Sequence, residues 1–127
     1  MKAYLIDAIN EMVIQIDYKG YEHKCELMKC NMVQVLSIGG KNDLWIDEEG
    51  MLKEYNYFFK WEDKEGEMYC HTVGGNAIIL GVDEEGECVE PFNLTLEEVQ
   101  SKVTFIGKRY IDHSKLKIEV EEWKIWN

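Results

Sequence analysis

The 127-residue sequence has a single proline, few basic residues, no Cys-x-x-Cys pair and no long apolar run. One proline and ten glycines exclude collagen-like and linker-like chains. Its longest apolar runs are four or five residues, such as residues 77–80, which is too short to span a bilayer. Hydrophobic residues still make up 46% of the chain and aromatic residues 12%, which is enough to fill the core of one domain.

The four cysteines lack the spacings typical of zinc ribbons and thioredoxin-like sites. Asp7 interrupts the apolar stretch that a signal peptide requires, so the sequence predicts a cytoplasmic protein with reduced thiols. A metal site built from thiolates and imidazoles near His23 and His71 is the alternative. Because the spacings of zinc ligands are missing, we expect neither a metal nor another cofactor. The cysteines are Cys25, Cys30, Cys70 and Cys88.

Basic residues are scarce where acidic residues are dense. The chain has 14 Lys and Arg against 25 Asp and Glu, a formal net charge of −11. Residues 43–98 hold sixteen acids against Lys53, Lys60 and Lys64, a net charge of −13, whereas residues 1–42 are neutral. This balance argues against binding a phosphate backbone, which needs cations. It is compatible with two interpretations: solvated hairpin turns, or an acidic surface that attracts a cationic partner.

The apolar pattern predicts an α+β fold, mainly antiparallel β-sheet built from hairpins, with six to eight strands and two short helices. Alternating residues on either side of a turn at 7–10 predict the first hairpin. Residues 21–30 predict one helix, with Tyr21, Cys25 and Met28 (or Leu27) on its apolar side. Residues 93–103 predict the other helix, because Thr95 and Glu98 have the spacing of a capping box.

The expected domain organisation is one domain over residues 1–106 and a C-terminal extension over residues 107–127. Gly107 is expected to end a strand that begins at Thr104. Alternation after residue 115 favours a further strand that packs on the same domain, and a helix with Leu116, Val120 and Trp123 on one side is the alternative. Its exposed edge, bearing Trp123 and Trp126, makes a homodimer one of the expected partners.

Three polar tetrads that end in glycine, residues 47–50, 63–66 and 83–86, follow extended segments. Each predicts a type I turn closed by a left-handed glycine. None has the ligand spacing of a calcium loop, and exposed turn carboxylates are rarely catalytic. The glycine pairs also fit no nucleotide-binding motif, so we expect a tight turn at Gly74-Gly75-Asn76 and no enzymatic activity.

Aromatic residues are concentrated between Trp45 and Tyr69, beside these acids. Residues 55–61 carry aromatics on both faces of a strand, so we expect one set to be exposed unless a helix covers each face. Trp and Tyr beside acids suit protein recognition. The candidate binding residues are Trp45, Asp47, Glu48, Glu49, Trp61, Glu62, Asp63, Asp83, Glu84, Glu85 and Glu87.

The first and third turns and their surroundings, together with the N-terminal strand, resemble a family known as a domain of unknown function. Its members occur in phages, plasmids and other bacterial mobile elements, and the similarity covers roughly residues 1–106. Relatives often have Ala-Gly-Lys-Gly where this chain has Val73-Gly74-Gly75-Asn76, so any role of that lysine is absent here. The resemblance implies a mobile-element setting and brings no catalytic residues.

Acidity and this resemblance together predict a non-enzymatic binding protein. We expect the acidic face of residues 43–98 to bind and inhibit a host or defence protein that has a basic surface, with carboxylates standing in for phosphates. No direct contact with nucleic acid or membrane is expected. The alternative is a module that binds a small molecule or nucleotide through the aromatic cluster and Gly74-Gly75-Asn76.

Overall fold

The computed structural model describes residues 1–51, 53, 55–63 and 70–110. These residues form nine strands and two helices, and every strand pair is antiparallel. The predicted α+β class is confirmed. In chain order the elements are β1 (Lys2–Asp7), β2 (Met12–Asp17), α1 (Tyr21–Met28), β3 (Val33–Gly39), β4 (Asn42–Asp47), β5 (Tyr55–Glu62), β6 (Cys70–Gly74), β7 (Ala77–Val82), β8 (Cys88–Val89), α2 (Leu96–Lys102) and β9 (Val103–Tyr110).

The strands form two sheets, where the sequence pattern predicts one. The larger sheet has the order β2-β1-β7-β4-β3, and β8 pairs with the end of β7. The smaller sheet has the order β6-β5-β9. Its central strand β5 comes directly after β4 in the chain, so the turn at residues 47–50 marks the crossing from one sheet to the other. In the described part of the chain, no helix has both the length and the apolar composition that crossing a bilayer requires.

Two apolar layers cover the two faces of the larger sheet. Between the sheets, Tyr4 and Ile79 pack in one cluster with Phe59, Trp61 and the Val99 side chain of α2. On the opposite face a second cluster forms beneath α1; its buried members are Ala3, Leu5, Tyr18, Met28, Ile78 and Leu80. Strand β7 is therefore buried on both faces, which explains its uninterrupted apolar sequence.

Helix α1 forms as predicted but buries a different set of side chains. Tyr21 is 57% exposed, whereas Met28 and the cationic Lys24 are buried. Lys24 Nζ lies 3.3 Å from the centroid of the Trp45 ring, a cation–π contact. Burial lowers the pKa of Lys24, because desolvation penalises the ammonium form. The spacing of apolar residues in a helix does not predict that a lysine such as Lys24 is buried against an aromatic ring from another element.

Each tetrad is expected to end in a glycine of left-handed conformation. This prediction is confirmed at Gly86, where φ is +83°, and is wrong at Gly50. Gly50 is needed for a different reason, which is its close approach to Gly74 of β6. A Cβ at Gly74 would lie 2.5 Å from the Gly50 carbonyl oxygen. The two backbones touch where the sheets meet, so neither position has room for a side chain. The third tetrad, residues 63–66, lies mostly outside the described residues.

Strand β9 does not stop at Gly107 as expected. Gly107 pairs with Phe58 and Phe105 pairs with Phe59, which leaves Ile106 as the extra residue of a β-bulge. Gly107 has φ of +92°, a conformation that suits glycine at such a bulge. The strand then continues to Tyr110, across the expected boundary at residues 106 and 107. The predicted final strand and the homodimer edge lie outside the described residues.

Candidate functional site

The two identical acidic tetrads lie at opposite ends of the larger sheet. Strands β4 and β7 pair in antiparallel register, with Asn42 opposite Gly81 and Trp45 opposite Ile78. Asp47 therefore lies beside the start of β7, whereas Asp83 follows the end of β7. The sequence places both tetrads in one net-negative segment, and the structure does not bring them together.

At the first end, the tetrad at residues 47–50 (the Asp47 turn) contains one buried carboxylate and two exposed ones. Asp47 Oδ2 accepts from Lys53 Nζ at 2.7 Å, and its Oδ1 accepts from the Glu49 N–H at 2.9 Å. Asp47 is therefore a structural residue of the turn. Glu48 and Glu49 are exposed to solvent.

At the other end, residues 83–87 (the Asp83 turn) present three exposed carboxylates. Asp83 Oδ1 accepts from the backbone N–H groups of Glu85 and Glu87, both at 2.9 Å. The Asp83 side chain is thus used to order the turn. Glu84, Glu85 and Glu87 project from it and are exposed.

The aromatic candidates do not form an exposed surface. Trp61 is 1% exposed, and Phe58 and Phe59 are buried although they are consecutive on β5. The expected exposed set is therefore absent among these three residues. Trp45 is half-buried beneath Lys24.

The remaining two acidic candidates follow Trp61 and both contact lysines. Glu62 Oε1 lies 3.2 Å from Lys60 Nζ. Asp63 Oδ2 lies 3.3 Å from Lys102 Nζ of α2, with both side chains mostly buried. This second pair links the end of β5 to the end of the helix, at the same end of the molecule as Asn42 and the Asp83 turn.

Trp61 lines a cleft of about 310 Å3, which we call the Trp61 cleft. It is formed by four chain segments: the β3–β4 turn, the end of β5, the loop before α2, and one side of α2. Its lining residues are Ile38, Gly39, Gly40, Asn42, Trp61, Asp63, Phe92, Asn93, Leu94, Glu98 and Lys102. Of the eleven candidates from the sequence, only Trp61 and Asp63 are among them.

One wall of this cleft is the loop at residues 90–94 (the Phe92 loop), which three partly buried hydrogen bonds hold in place. Asn42 Nδ2 donates to the Phe92 carbonyl oxygen and Asn42 Oδ1 accepts from the Phe92 N–H, both at 2.8 Å. Tyr4 Oη donates to the Leu94 carbonyl oxygen at 2.7 Å. A Cβ at Gly81 would fall on the Glu90 carbonyl oxygen, so the loop packs directly on β7. The Phe92 ring, 38% exposed, is left at the cleft.

The helical side of the cleft is fixed by the predicted capping box, which is confirmed. Thr95 Oγ1 accepts from the Glu98 N–H at 3.2 Å, and Glu98 Oε1 accepts from the Thr95 N–H at 3.4 Å. The cap holds the Glu98 carboxylate at the cleft, one turn before Lys102. Sequence reasoning identified Glu98 as a capping residue and missed it as a lining residue.

The Trp61 side chain, which lines the cleft, also carries a buried polar atom. Its Nε1 is buried and has no hydrogen-bond partner. A buried N–H without an acceptor costs about 1–3 kcal/mol. The sequence analysis also missed Asn42, Phe92 and Lys102. The one available signal was Phe92, an aromatic residue that follows the single proline of the sequence.

A second cleft, of about 380 Å3, lies at the Asp47 end. Its charged side chains include the Asp47–Lys53 ion pair, which already satisfies both partners. Burial and the nearby Asp47 carboxylate raise the pKa of its Cys30 thiol to about 11. Cys30 is therefore a protonated thiol at neutral pH, which is a poor nucleophile and a poor metal ligand. Among the described residues, no three His, Cys, Asp or Glu side chains lie close enough together to share a metal ion.

Gly74-Gly75-Asn76 forms a structural turn at that same end. Asn76 Oδ1 accepts from the Ala8 N–H at 2.9 Å, and its Nδ2 donates to the Leu27 carbonyl oxygen at 3.1 Å. Gly75 has φ of +93° and donates its N–H to the Tyr57 carbonyl oxygen at 2.7 Å. The amide of Asn76 ties the first hairpin to α1, and the turn does not line the Trp61 cleft.

Comparison with known proteins places the described fold in a family. No curated protein and no solved structure matches the chain. One family profile matches residues 1–103, which extend from β1 through α2 and include every residue that lines the Trp61 cleft. The chain therefore belongs to the family described as Domain of unknown function (DUF3846).

Proposed function

We propose that this protein is a non-enzymatic binding module that holds a small molecule in the Trp61 cleft. The observation that carries the proposal is the buried Nε1 of Trp61, which has no acceptor although Trp61 lines a cleft. Native proteins pair most buried donors, and an unpaired one calls for an explanation. A ligand with an acceptor atom would pair this donor after a local adjustment of the cleft wall.

The surroundings of Trp61 support a ligand site in two further ways. The Phe92 loop is anchored by three partly buried hydrogen bonds, so the cleft has a pre-ordered wall. Four apolar side chains, two of them aromatic, and five polar or charged side chains line the cleft, so it offers a ligand both ring surfaces and hydrogen-bonding groups. The charged side chains at the cleft, Asp63, Glu98 and Lys102, form no arrangement that requires a chemical step.

The test uses the indole N–H signals of 15N-labelled protein. The chain has four tryptophans, and triple-resonance assignment identifies the signals of Trp61 and Trp45. A library of small fragments is then screened at about millimolar concentration, because small sites give weak fragment binding. We expect binders that shift the Trp61 signal and leave the Trp45 signal in place.

Trp45 is a matched control because its Nε1 is also buried and without a partner, yet Trp45 lies on the other face of the larger sheet. If no fragment moves the Trp61 signal, or if fragments move both signals equally, the cleft is not a ligand site. Thermal denaturation with the best fragment gives a second readout, since a ligand bound to the folded form raises the Tm.

A second candidate function is the binding of a basic host or defence protein, in keeping with a mobile-element setting. It is favoured by the exposed Glu84, Glu85 and Glu87, which the Asp83 turn holds together. The proposed surface is smaller than the whole segment of residues 43–98, because the Asp47 turn lies at the other end of the sheet.

This second proposal is tested by affinity capture from a bacterial lysate with the triple variant E84Q/E85Q/E87Q. The matched control is E48Q/E49Q, which removes exposed acids from the identical tetrad at the opposite end. A partner lost with the triple variant, kept with the control and released by about 0.5 M salt agrees with the proposal. A partner that both variants retain contradicts it.

A further inference from the structure

We propose that the ligand of the Trp61 cleft is an unphosphorylated nitrogen heterocycle, neutral or singly cationic, of the nucleobase or nucleoside class. This inference rests on the proposed small-molecule function and names its ligand chemistry. It follows from the size of the cleft, the charges in its lining and the two kinds of hydrogen-bonding group that it offers.

The charges exclude a phosphate group. Of the described residues that line the cleft, Lys102 alone is cationic, and its Nζ lies 3.3 Å from Asp63 Oδ2. Glu98 adds a second carboxylate. The N-terminus of α2 offers no replacement, because the Thr95 and Glu98 side chains already accept from its backbone N–H groups. A phosphate would therefore meet net negative charge with no free cation to balance it.

The polar groups match a heterocycle that both accepts and donates. The buried Trp61 N–H lacks an acceptor, and a ring nitrogen or an exocyclic carbonyl oxygen would pair with it once the cleft wall adjusts locally. Glu98 Oε1 already accepts from the Thr95 N–H and hydroxyl, so Glu98 Oε2 is the oxygen that suits an exocyclic amino group or a protonated ring nitrogen. A hydrocarbon would pair with neither the Trp61 N–H nor the Glu98 carboxylate. An ionised fatty acid or other carboxylate ligand has no donor for Glu98.

The shape of the cleft matches a planar ligand of limited size. The half-exposed Phe92 ring offers a flat face on which a base can stack, and base–aromatic stacking contributes about 1–3 kcal/mol. A volume of about 310 Å3 is at the small end of ligand sites, which suits a base or nucleoside better than a dinucleotide.

The test titrates the full chain with adenosine, guanosine, cytidine and uridine, and with the 5′-monophosphate of each. We expect at least one nucleoside to shift the Trp61 indole signal. Its monophosphate should bind about fivefold or more weakly, because a doubly charged phosphate meets a net negative lining. The difference should shrink as salt is raised, since added ions screen the repulsion.

Two variants sharpen the assignment. E98Q keeps the size of the side chain and its capping geometry, and we expect it to weaken a nucleoside that carries an amino group about threefold to tenfold. F92L keeps an apolar side chain and removes the stacking face, so it should weaken every nucleoside that binds. E22Q, at an exposed position of α1 outside the cleft lining, is the control and should leave affinity unchanged.

The outcomes separate this inference from the proposed function. If monophosphates bind as tightly as nucleosides, or if only ligands of another class shift the Trp61 signal, the ligand class is wrong and the cleft function stands. If no compound of either panel shifts that signal, both proposals are wrong.

Discussion

Replacing Gly50 with alanine tests the closest contact between the two sheets. The added Cβ would fall on the Gly74 carbonyl oxygen and would also lie 3.2 Å from the Asp47 carbonyl oxygen. The reciprocal Cβ at Gly74 would lie 2.5 Å from the Gly50 carbonyl oxygen, nearly 1 Å inside an ordinary contact. Both atoms belong to backbone, so a side-chain rotation cannot relieve the overlap, and the two strands must move apart.

The expected cost combines overpacking with weakened hydrogen bonds. Overpacking of a filled region costs about 1–3 kcal/mol. Separation of the strands also stretches the bond that Asn56 Nδ2 donates to the Gly50 carbonyl oxygen, now 2.7 Å, at about 1 kcal/mol. We therefore expect Gly50→Ala to lower the free energy of unfolding by about 3 kcal/mol. Urea denaturation followed by tryptophan fluorescence measures it, since Trp61 is buried in the core.

Gly86→Ala is the matched control, because it changes the same position of an identical Asp-Glu-Glu-Gly tetrad. Gly86 has φ of +83° and no atom within 4 Å of an added Cβ, so its only cost is backbone strain of about 1–2 kcal/mol. Gly50 has no positive φ, so its cost is steric. The reasoning is refuted if Gly86→Ala destabilises the protein as much as Gly50→Ala, or if Gly50→Ala leaves the urea midpoint unchanged.

Two further predictions concern buried polar groups. Asn42→Ala removes both hydrogen bonds to the Phe92 backbone and should lower the free energy of unfolding by about 2–3 kcal/mol in urea, whereas an unchanged midpoint would mean that the Phe92 loop is held by other contacts. Lys24→Met replaces a buried ammonium with an apolar side chain of similar length. The pKa of Lys24 is lowered in the folded protein, so the unfolded chain binds more protons at pH values between that pKa and 10.5. The free energy of unfolding of the wild-type protein therefore rises with pH through this window. The Met variant should lack that gain in urea titrations at several pH values, and an identical pH profile for both proteins would contradict the assignment.

Contacts between neighbours in the sequence account for the elements that were predicted correctly. The capping box joins Thr95 to Glu98, three residues apart, and it forms as the spacing indicates. The first hairpin depends on alternating residues around a four-residue turn, and both strands lie where the alternation places them. Such features need only a few adjacent dihedral angles and side chains, so the local sequence contains the whole interaction.

Contacts between distant residues account for what the sequence did not reveal. Asp47-Glu48-Glu49-Gly50 and Asp83-Glu84-Glu85-Gly86 are the same four residues, yet one glycine is left-handed and the other is pressed against Gly74. The difference arises from the neighbours that each turn meets in the fold. The antiparallel register of β4 and β7 then sends the two turns to opposite ends, which no count of charge along the chain could indicate.

By itself the sequence determined the class of fold, the two helices, the acidic balance and the family, because each depends on composition, local period or similarity along the chain. Only the tertiary structure decided the division into two sheets, the burial of Lys24 and the assembly of the Trp61 cleft. The cleft wall depends on Asn42 binding Phe92, which lies 50 residues away in the chain. A contact of that range exists only once the strands have paired, so its residues have no common signature in the sequence.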